Sequence, residues 1–498
     1  MNKKTIYIIF LSALLITILF HRQSLGLNLV IFEFIFLGYL LFSKQLIFKE
    51  KNATYTLLLV ITAVSTIFTH SIFSYIMHFI ILIIFIGALI FPNAKSCITN
   101  VRLSIVSIIN SQIKFISNLS DSELQGQKIR TYLWQSRIFV VPLLIILFFV
   151  VIYRGSNPVF NDIFIAVNTF FSEKLSFLFK GFDFLLILTF AIALFFSNYF
   201  FIRTSNINII NNDINASYEL KRKKQNIKRN SRFIALKNEY KSGVFLFLIL
   251  NLILLLLNII EVKWVWFNFK WEGQYLKDFV HQGVYLLILS IVISIGLVLY
   301  FFRGNINFYK KNRFLKWLSY VWLVQNAMLI VSVAIRNYWY IYYFSLAYKR
   351  IGVFIFLILV AYGLYSVFLK VRDKKSTFYL MKTNAFVIVL VLTLSSFVNW
   401  DNVIAEYNFK HSDRAFLHLD FLSTLSDKAL PYLDKDMGEL SRIDNLQKKK
   451  FLFDEEYMNT YEFKKKIEKR KLLFFKKWEK KGFLSWNFPE YIAYKKLK

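Results

Sequence analysis

The sequence predicts an all-α, polytopic membrane helix bundle of about eleven spans, with a small α-helical extramembrane segment at the C-terminal end. Three observations carry that reading. The 498-residue chain is 57% hydrophobic and only 18% charged, whereas soluble domains run nearer a quarter charged. Uncharged apolar runs recur along it, most of them about as long as a helix needs to cross a hydrocarbon core. Lys and Arg gather between those runs rather than inside them, as in the cytoplasmic loops of membrane proteins.

The runs fall at residues 5–20, 26–43, 54–69, 72–91, 138–153, 181–202, 244–262, 280–302, 317–335, 351–369 and 383–399. The first has the charged start and apolar core of a signal peptide. No small-x-small cleavage site follows it, so it reads as an uncleaved span. The stretch 54–91 is too long for one span and turns at His70-Ser71, its most polar point. Lys3 and Lys4, Lys44, Lys49 and Lys51, the "KRKKQNIKR" run at 221–229, the cations Arg303–Lys316 and those at 370–375 all fall on one side of an eleven-span bundle. That side is then cytoplasmic, which puts the N-terminus inside and the tail outside.

Residues 1–400 therefore form the membrane domain and 401–498 a basic helical tail. Two cytoplasmic loops are long. Within 92–137 the apolar positions of "ITNVRLSIVSIINSQIKFISNL" recur at helical spacing, which suits an interfacial helix. The 203–243 loop is Asn-rich and then strongly basic, a solvated linker attracted to anionic lipid. The opposite loops, "VKWVWFNFKWEGQY" (262–275) and "RNYWYIYYFSLAY" (336–348), carry the Trp and Tyr of an aromatic belt at headgroup level.

Formal net charge is +32. In a soluble chain that would suggest nucleic acid, but here the topology absorbs it, and Ile, Phe, Lys, Asn and Tyr are all abundant, as in AT-rich genomes. The expected partners are the lipid bilayer, anionic lipid at the basic loops and tail, and a protein partner, with no nucleic acid. Cys97 stands alone, so neither an intramolecular disulfide nor a cysteine metal site is available.

Charged groups inside spans are costly and are the first places to look for function. Glu33 lies deep in "LNLVIFEFIFLGYLLF". It is either a proton-linked or cation-binding carboxylate, or a protonated or locally paired group that locks two helices. Asp183 and Glu261 sit near span ends. His78 reads as a hydrogen-bonded core histidine, and Gln325-Asn326 as interhelical bonds. In "HSDRAFLHLD", His411 and His418 share a helix face but stand about 10 Å apart by rise, too far for one ion. No phosphate loop, nucleophile elbow or zinc-protease pair is present. No catalytic residue, cofactor or metal is expected.

In the tail, 412–433 reads as two short helices with Ser412 and Ser426 as N-caps and Pro431 kinking or ending the second. Residues 455–481 read as one basic helix with Phe463, Ile467, Phe474 and Trp478 on a stripe. That stripe packs onto the membrane domain, binds anionic lipid, or docks a protein.

Several short motifs resemble an uncharacterised bacterial membrane family, domain of unknown function 4173, which is related to number 4153. They are "NPVF" (157–160), "AYKRIGVFIF" (347–356), "NVIAEYNF" (402–409), "LDFLSTLSDKALPYL" (419–433) and "SWNFPEYIAYKKL" (485–497). Arg336 and Arg350 match the family's two arginines; Ala347 stands where the family has Thr. Asn402, Tyr407 and Asn408 match its Asn…Tyr-Asn element. The resemblance implies a multi-span protein of the bacterial cytoplasmic membrane with a small extramembrane end, and it carries over no established activity. Glu406 and Asp401 are the nearest acidic candidates to pair with Arg336 or Arg350 and hold the tail. The expected role is a scaffold, sensor or accessory subunit of an envelope system. The alternatives are a transporter or channel using Glu33, or a membrane-embedded enzyme on lipid or cell-wall precursors.

Overall fold

A computed structural model describes residues 3–46, 50–120, 123–124, 127–128, 146, 149–150, 153–154, 158–175, 183–222, 229–267, 274–451 and 458–498. The described chain is helical apart from a two-residue antiparallel pair, Glu123–Leu124 with Gln127–Lys128. Among the described residues eight helices are long and apolar enough to cross a membrane. They are α3 (Glu50–Thr69), α4 (Ile72–Ile90), α7 (Phe184–Ile202), α9 (Arg229–Glu261), α10 (Gln274–Phe301), α11 (Arg313–Phe344), α12 (Tyr348–Arg372) and α13 (Thr377–Ser396). Each coincides with an apolar run read from the sequence.

The expected count of about eleven is therefore not confirmed. The apolar stretches of α1 (Lys3–Phe20) and α2 (Leu27–Phe42) are shorter than the rest. The 16 residues of α2 rise only about 24 Å, less than a ~30 Å hydrocarbon core. The run at 138–153 lies mostly outside the described residues.

Side chains on the outer faces of the long helices are apolar and exposed. On α9, Ile253, Leu256 and Ile260 are each more than half exposed. Such a band is stable only against lipid. Inside, α9 and α11 meet along a seam of period 3.5. Phe247, Asn251, Leu254, Asn258 and Glu261 face Leu318, Trp322, Gln325, Leu329 and Arg336, all buried. Gln325 Nε2 donates to Asn251 Oδ1 at 2.9 Å, and Asn258 Nδ2 to the Gln325 carbonyl at 3.3 Å. Asn326 instead bonds within its own helix, to the Trp322 carbonyl.

Helix α5 (Cys97–Ser120) packs against α1, α4, α7 and α13. Its amphipathicity is inverted. Ser104, Ser107 and Ser111 are fully buried against the bundle, while Ile105, Ile109, Ile113 and Ile116 are each more than half exposed. Small polar residues suit close packing between membrane helices, and outward isoleucines suit lipid. Gly87 makes the crossing possible: a Cβ there would lie 2.0 Å from the Asn100 carbonyl oxygen.

The loop expected as a solvated linker is folded over residues 203–222. Helix α8 (Ile207–Ile214) ends on Asp213, which is buried and accepts from the Lys95 N–H and the Thr99 hydroxyl. Leu220 and Ser376 exchange backbone bonds with the α12–α13 turn and the loop. Helix α6 (Pro158–Leu175) begins within the "NPVF" element.

The tail comprises α14 (Trp400–Lys410), α15 (Leu419–Leu422), α16 (Leu430–Leu433), α17 (Met437–Lys450), α18 (Thr460–Glu479) and α19 (Phe488–Leu497). Its apolar core buries Ile404, Phe409, Leu422, Leu430, Leu440 and Phe463 together and takes in Ile351 of α12. The α18 stripe of Phe463, Ile467 and Phe474 faces this core rather than the bundle. Trp478 is half-buried and stacks on Tyr494 of α19. Ser426 stands at the N-cap of the turn Asp427–Ala429 as expected, its hydroxyl donating to Asp401 instead of capping, whereas Ser412 caps no helix. His418 caps α15; the Ser412 hydroxyl donates back to the Phe409 carbonyl. Pro431 sits in the first turn of α16, where its missing N–H costs nothing, and neither kinks nor ends the helix.

Candidate functional site at the junction of bundle and tail

The tail is latched to three inter-helix turns at one end of the bundle. The first latch is the α11–α12 turn. The carboxamide of Asn408, buried on α14, accepts from the Leu346 N–H at 2.7 Å and donates to the Leu346 carbonyl at 3.0 Å. One side chain thus pairs with both backbone groups of one residue, as a neighbouring strand would. Beside it, Ser345 has φ 68 and ψ 179, a conformation that costs a non-glycine residue on the order of 1–3 kcal/mol. It is over-determined: its hydroxyl donates to the Phe416 carbonyl at 2.8 Å, and Phe416 N–H donates to the Tyr343 carbonyl at 2.8 Å. Arg350, in the first turn of α12, donates through Nη1 to the Phe344 carbonyl at 2.5 Å and to the Ser345 carbonyl.

The second latch is the α3–α4 turn. Lys428, buried, donates to the Thr69 carbonyl at 2.8 Å and lies 3.2 Å from Asp401 Oδ2. Asp401 also accepts from the Tyr348 and Ser426 hydroxyls. Burial works against the Asp401 carboxylate, but Lys428, Ser426 and Tyr348 outweigh it and hold its pKa below the usual range. Glu490 of α19 lies 3.5 Å from His70 Nε2 and bonds Lys481. Burial again opposes ionisation, yet the bonds from His70 and Lys481 hold this carboxyl at about 2. The third latch is the α1–α2 turn, where Leu27 N–H donates to the Trp486 carbonyl at 3.1 Å and Ser24 N–H to Ser485 Oγ at 3.0 Å.

The residues singled out from sequence divide at this junction. Asn408 and Arg350 meet on the α11–α12 turn. Arg336 does not reach it as expected: it forms a two-point pair with Glu261, one bond at 3.1 Å, both side chains buried between α9 and α11. Glu406 is exposed, Asn402 and Tyr407 are half-buried, and Tyr407 stacks on His411 with ring centres 4.2 Å apart. The residue that holds Asp401 is Lys428, not an arginine. Nothing in the local sequence marked it, because an Asp–Lys pair separated by 27 positions has no periodicity to betray it.

Glu33 is elsewhere. Its Oε1 lies 3.1 Å from Nε2 of His78, and Nδ1 of His78 lies 3.3 Å from the Thr62 hydroxyl. Glu33 and His78 are both at least 96% buried, exposing 4% and 1%. This links α2, α3 and α4 through one polar chain. Asp183 caps α7 and meets His21 and Arg22, each at 3.0 Å. Among the described residues no group of three His, Cys, Asp or Glu can hold a metal ion. His411 Nδ1 lies on the Tyr407 carbonyl, and Asp420 accepts from the Met458 N–H.

The model of the family "Domain of unknown function (DUF4153)" matches residues 6–435. The chain belongs to that family. With its apolar helices, this DUF4153 chain is an uncharacterised membrane protein. The match spans Arg350, Asp401, Asn408 and Lys428 and ends before α17, so the Glu490 and Trp486 latches lie beyond it. No curated protein and no solved structure matches the chain.

Proposed function

We propose that this protein is a scaffold or accessory subunit of a bacterial envelope system, in the cytoplasmic membrane, that presents its helical tail outside the cell membrane in a fixed pose. The observation that carries the reading is the Asn408 clamp on Leu346, reinforced by the buried Asp401–Lys428 pair. A segment with a buried core, pinned at three turns, is built to be held still against the bundle, which is what presenting a surface to a partner requires. Photo-crosslinking side chains at Tyr461 and Leu472, both exposed on α18, should give one adduct of defined mass in native membranes. Asn408→Ala should abolish it by freeing the tail.

A transporter is the second reading, favoured by the buried Glu33–His78 pair. Its test is proton flux in proteoliposomes. Flux that is present in the wild type and lost in Glu33→Gln would replace the scaffold reading.

A further inference from the structure

Arg350 and Arg336 have different electrical surroundings. Arg336 has the Glu261 carboxylate. Arg350 has two carbonyl oxygens and the face of Tyr340, 4.1 Å from its guanidinium carbon, and among the described residues no carboxylate pairs with it. Carbonyl dipoles and a ring quadrupole solvate a cation without neutralising it, and a partly buried charge without an opposite charge is costly. Its Nη1 serves the turn and its guanidinium also bonds the Tyr340 side chain; the donors that the turn does not use can still take an anion.

Two cavities adjoin this guanidinium. One, of about 130 Å³, lies under the tail against Asn408, Phe416 and His418. The other, of about 100 Å³, lies between α10, α11 and α12, with Val284, Tyr285 and Val353 as an apolar wall and Lys349 and Asn337 at its polar end. Tyr340, Ala347 and Arg350 line both. The apolar wall is continuous with the exposed face of α10, where Tyr285 and Leu289 are each about half exposed. A cation at the end of a bundle, an apolar wall leading into the lipid-facing surface and a second cation beside it together have the layout of an amphiphile site.

We propose that these cavities bind the phosphate headgroup of an anionic lipid from the leaflet on the tail's side. Arg350 takes the phosphate through its remaining donors, Lys349 adds charge, and Val284, Tyr285 and Val353 receive the first part of the acyl chain. Because Arg350 also holds the Ser345 turn, the lipid would brace the clamp that Asn408 closes.

The test uses the full chain in phosphatidylcholine nanodiscs, titrated with phosphatidylglycerol or with glycerol phosphate, and read by native mass spectrometry and thermal unfolding. Retention of one phosphatidylglycerol and a raised unfolding midpoint are expected. Arg350→Gln should weaken retention on the order of tenfold or more, and Lys349→Ala by less, with its lipid-free midpoint unchanged. Arg350→Gln alone could act through the turn, so Ala347→Phe is the second variant. It fills both cavities, removes no side-chain hydrogen bond, and should also abolish retention. An equal effect from glycerol phosphate would assign the site to a soluble phosphate and overturn the lipid as its source. Retention unchanged in both Arg350→Gln and Ala347→Phe would overturn the site itself.

Discussion

Asn408 carries more of the tail's attachment than its size suggests. Removing its carboxamide leaves two backbone groups of Leu346 buried without partners, each costing about 1–3 kcal/mol. Asn408→Ala is therefore expected to open the tail to limited proteolysis at neutral pH while the bundle stays intact, and Asn408→Asp to do nearly as much, since it loses the donor to the Leu346 carbonyl. Arg336→Ala is expected to behave differently. It strands Glu261 between α9 and α11, at a cost of about 3–5 kcal/mol, and should lower the unfolding midpoint of the bundle. The double variant Glu261→Gln with Arg336→Met should recover much of that loss; a double variant no better than Arg336→Ala would show that the pair is not the reason. Of these residues, the sequence pointed to Asn408, Arg336 and Arg350 through motif resemblance, but not to their partners. Burial alone could not tell that Arg336 faces Glu261, because that pairing is fixed by how α9 and α11 register along their seam.

At the scale of elements, α5 and α19 make the most specific claims. Helix α5 crosses α4 so closely that Gly87→Ala must push the Asn100 backbone away, a change expected to cost about 1–3 kcal/mol. The same change at Gly38, where nothing lies within 4 Å of a Cβ, should be neutral in the same thermal assay. Helix α19 makes a pH-dependent latch. The folded pKa of Glu490 is depressed from 4.5 to about 2, so its contribution is fully present above the unfolded value. It is lost as pH falls from about 4.5 through about 2, on the order of 3 kcal/mol at most. Asp401 and Asp434 are depressed too, Asp434 by Lys464 and Lys471 despite burial, and their losses add in the same acid range. Tail protection from protease is expected to fall on acidification, and Glu490→Gln to be less protected at pH 7 with a smaller acid step. An unchanged acid profile in Glu490→Gln would remove this latch from the account.

For the whole molecule, the expected orientation puts the tail and the α3–α4, α9–α10 and α11–α12 turns on one side and α5 with the basic loops on the other. Cys97 is buried and unpaired, so a cysteine-free background is accessible by Cys97→Ser. Single cysteines at positions 231 and 441 are expected to be labelled from opposite sides by a membrane-impermeant reagent. Labelling from the same side would mean an even number of crossings between them, one that the five helices α9 to α13 do not give.

The sequence by itself determined that this is a membrane helix bundle and where all eight long spans lie, because hydrocarbon demands helices of a minimum apolar length and that demand is local. It also marked the helical periodicity of α5 and the buried stripe of α18, since helical periodicity is local as well. Only the tertiary structure decided which way those faces turn: serines inward on α5, and the α18 stripe into the tail's core. It also decided every polar pairing that matters, namely Glu33 with His78, Arg336 with Glu261, Asp401 with Lys428 and Asn408 with Leu346. Each joins residues 45 to 75 positions apart, or 27 for Asp401 and Lys428. At such separations a contact depends on how whole helices pack, and composition and spacing carry no record of it.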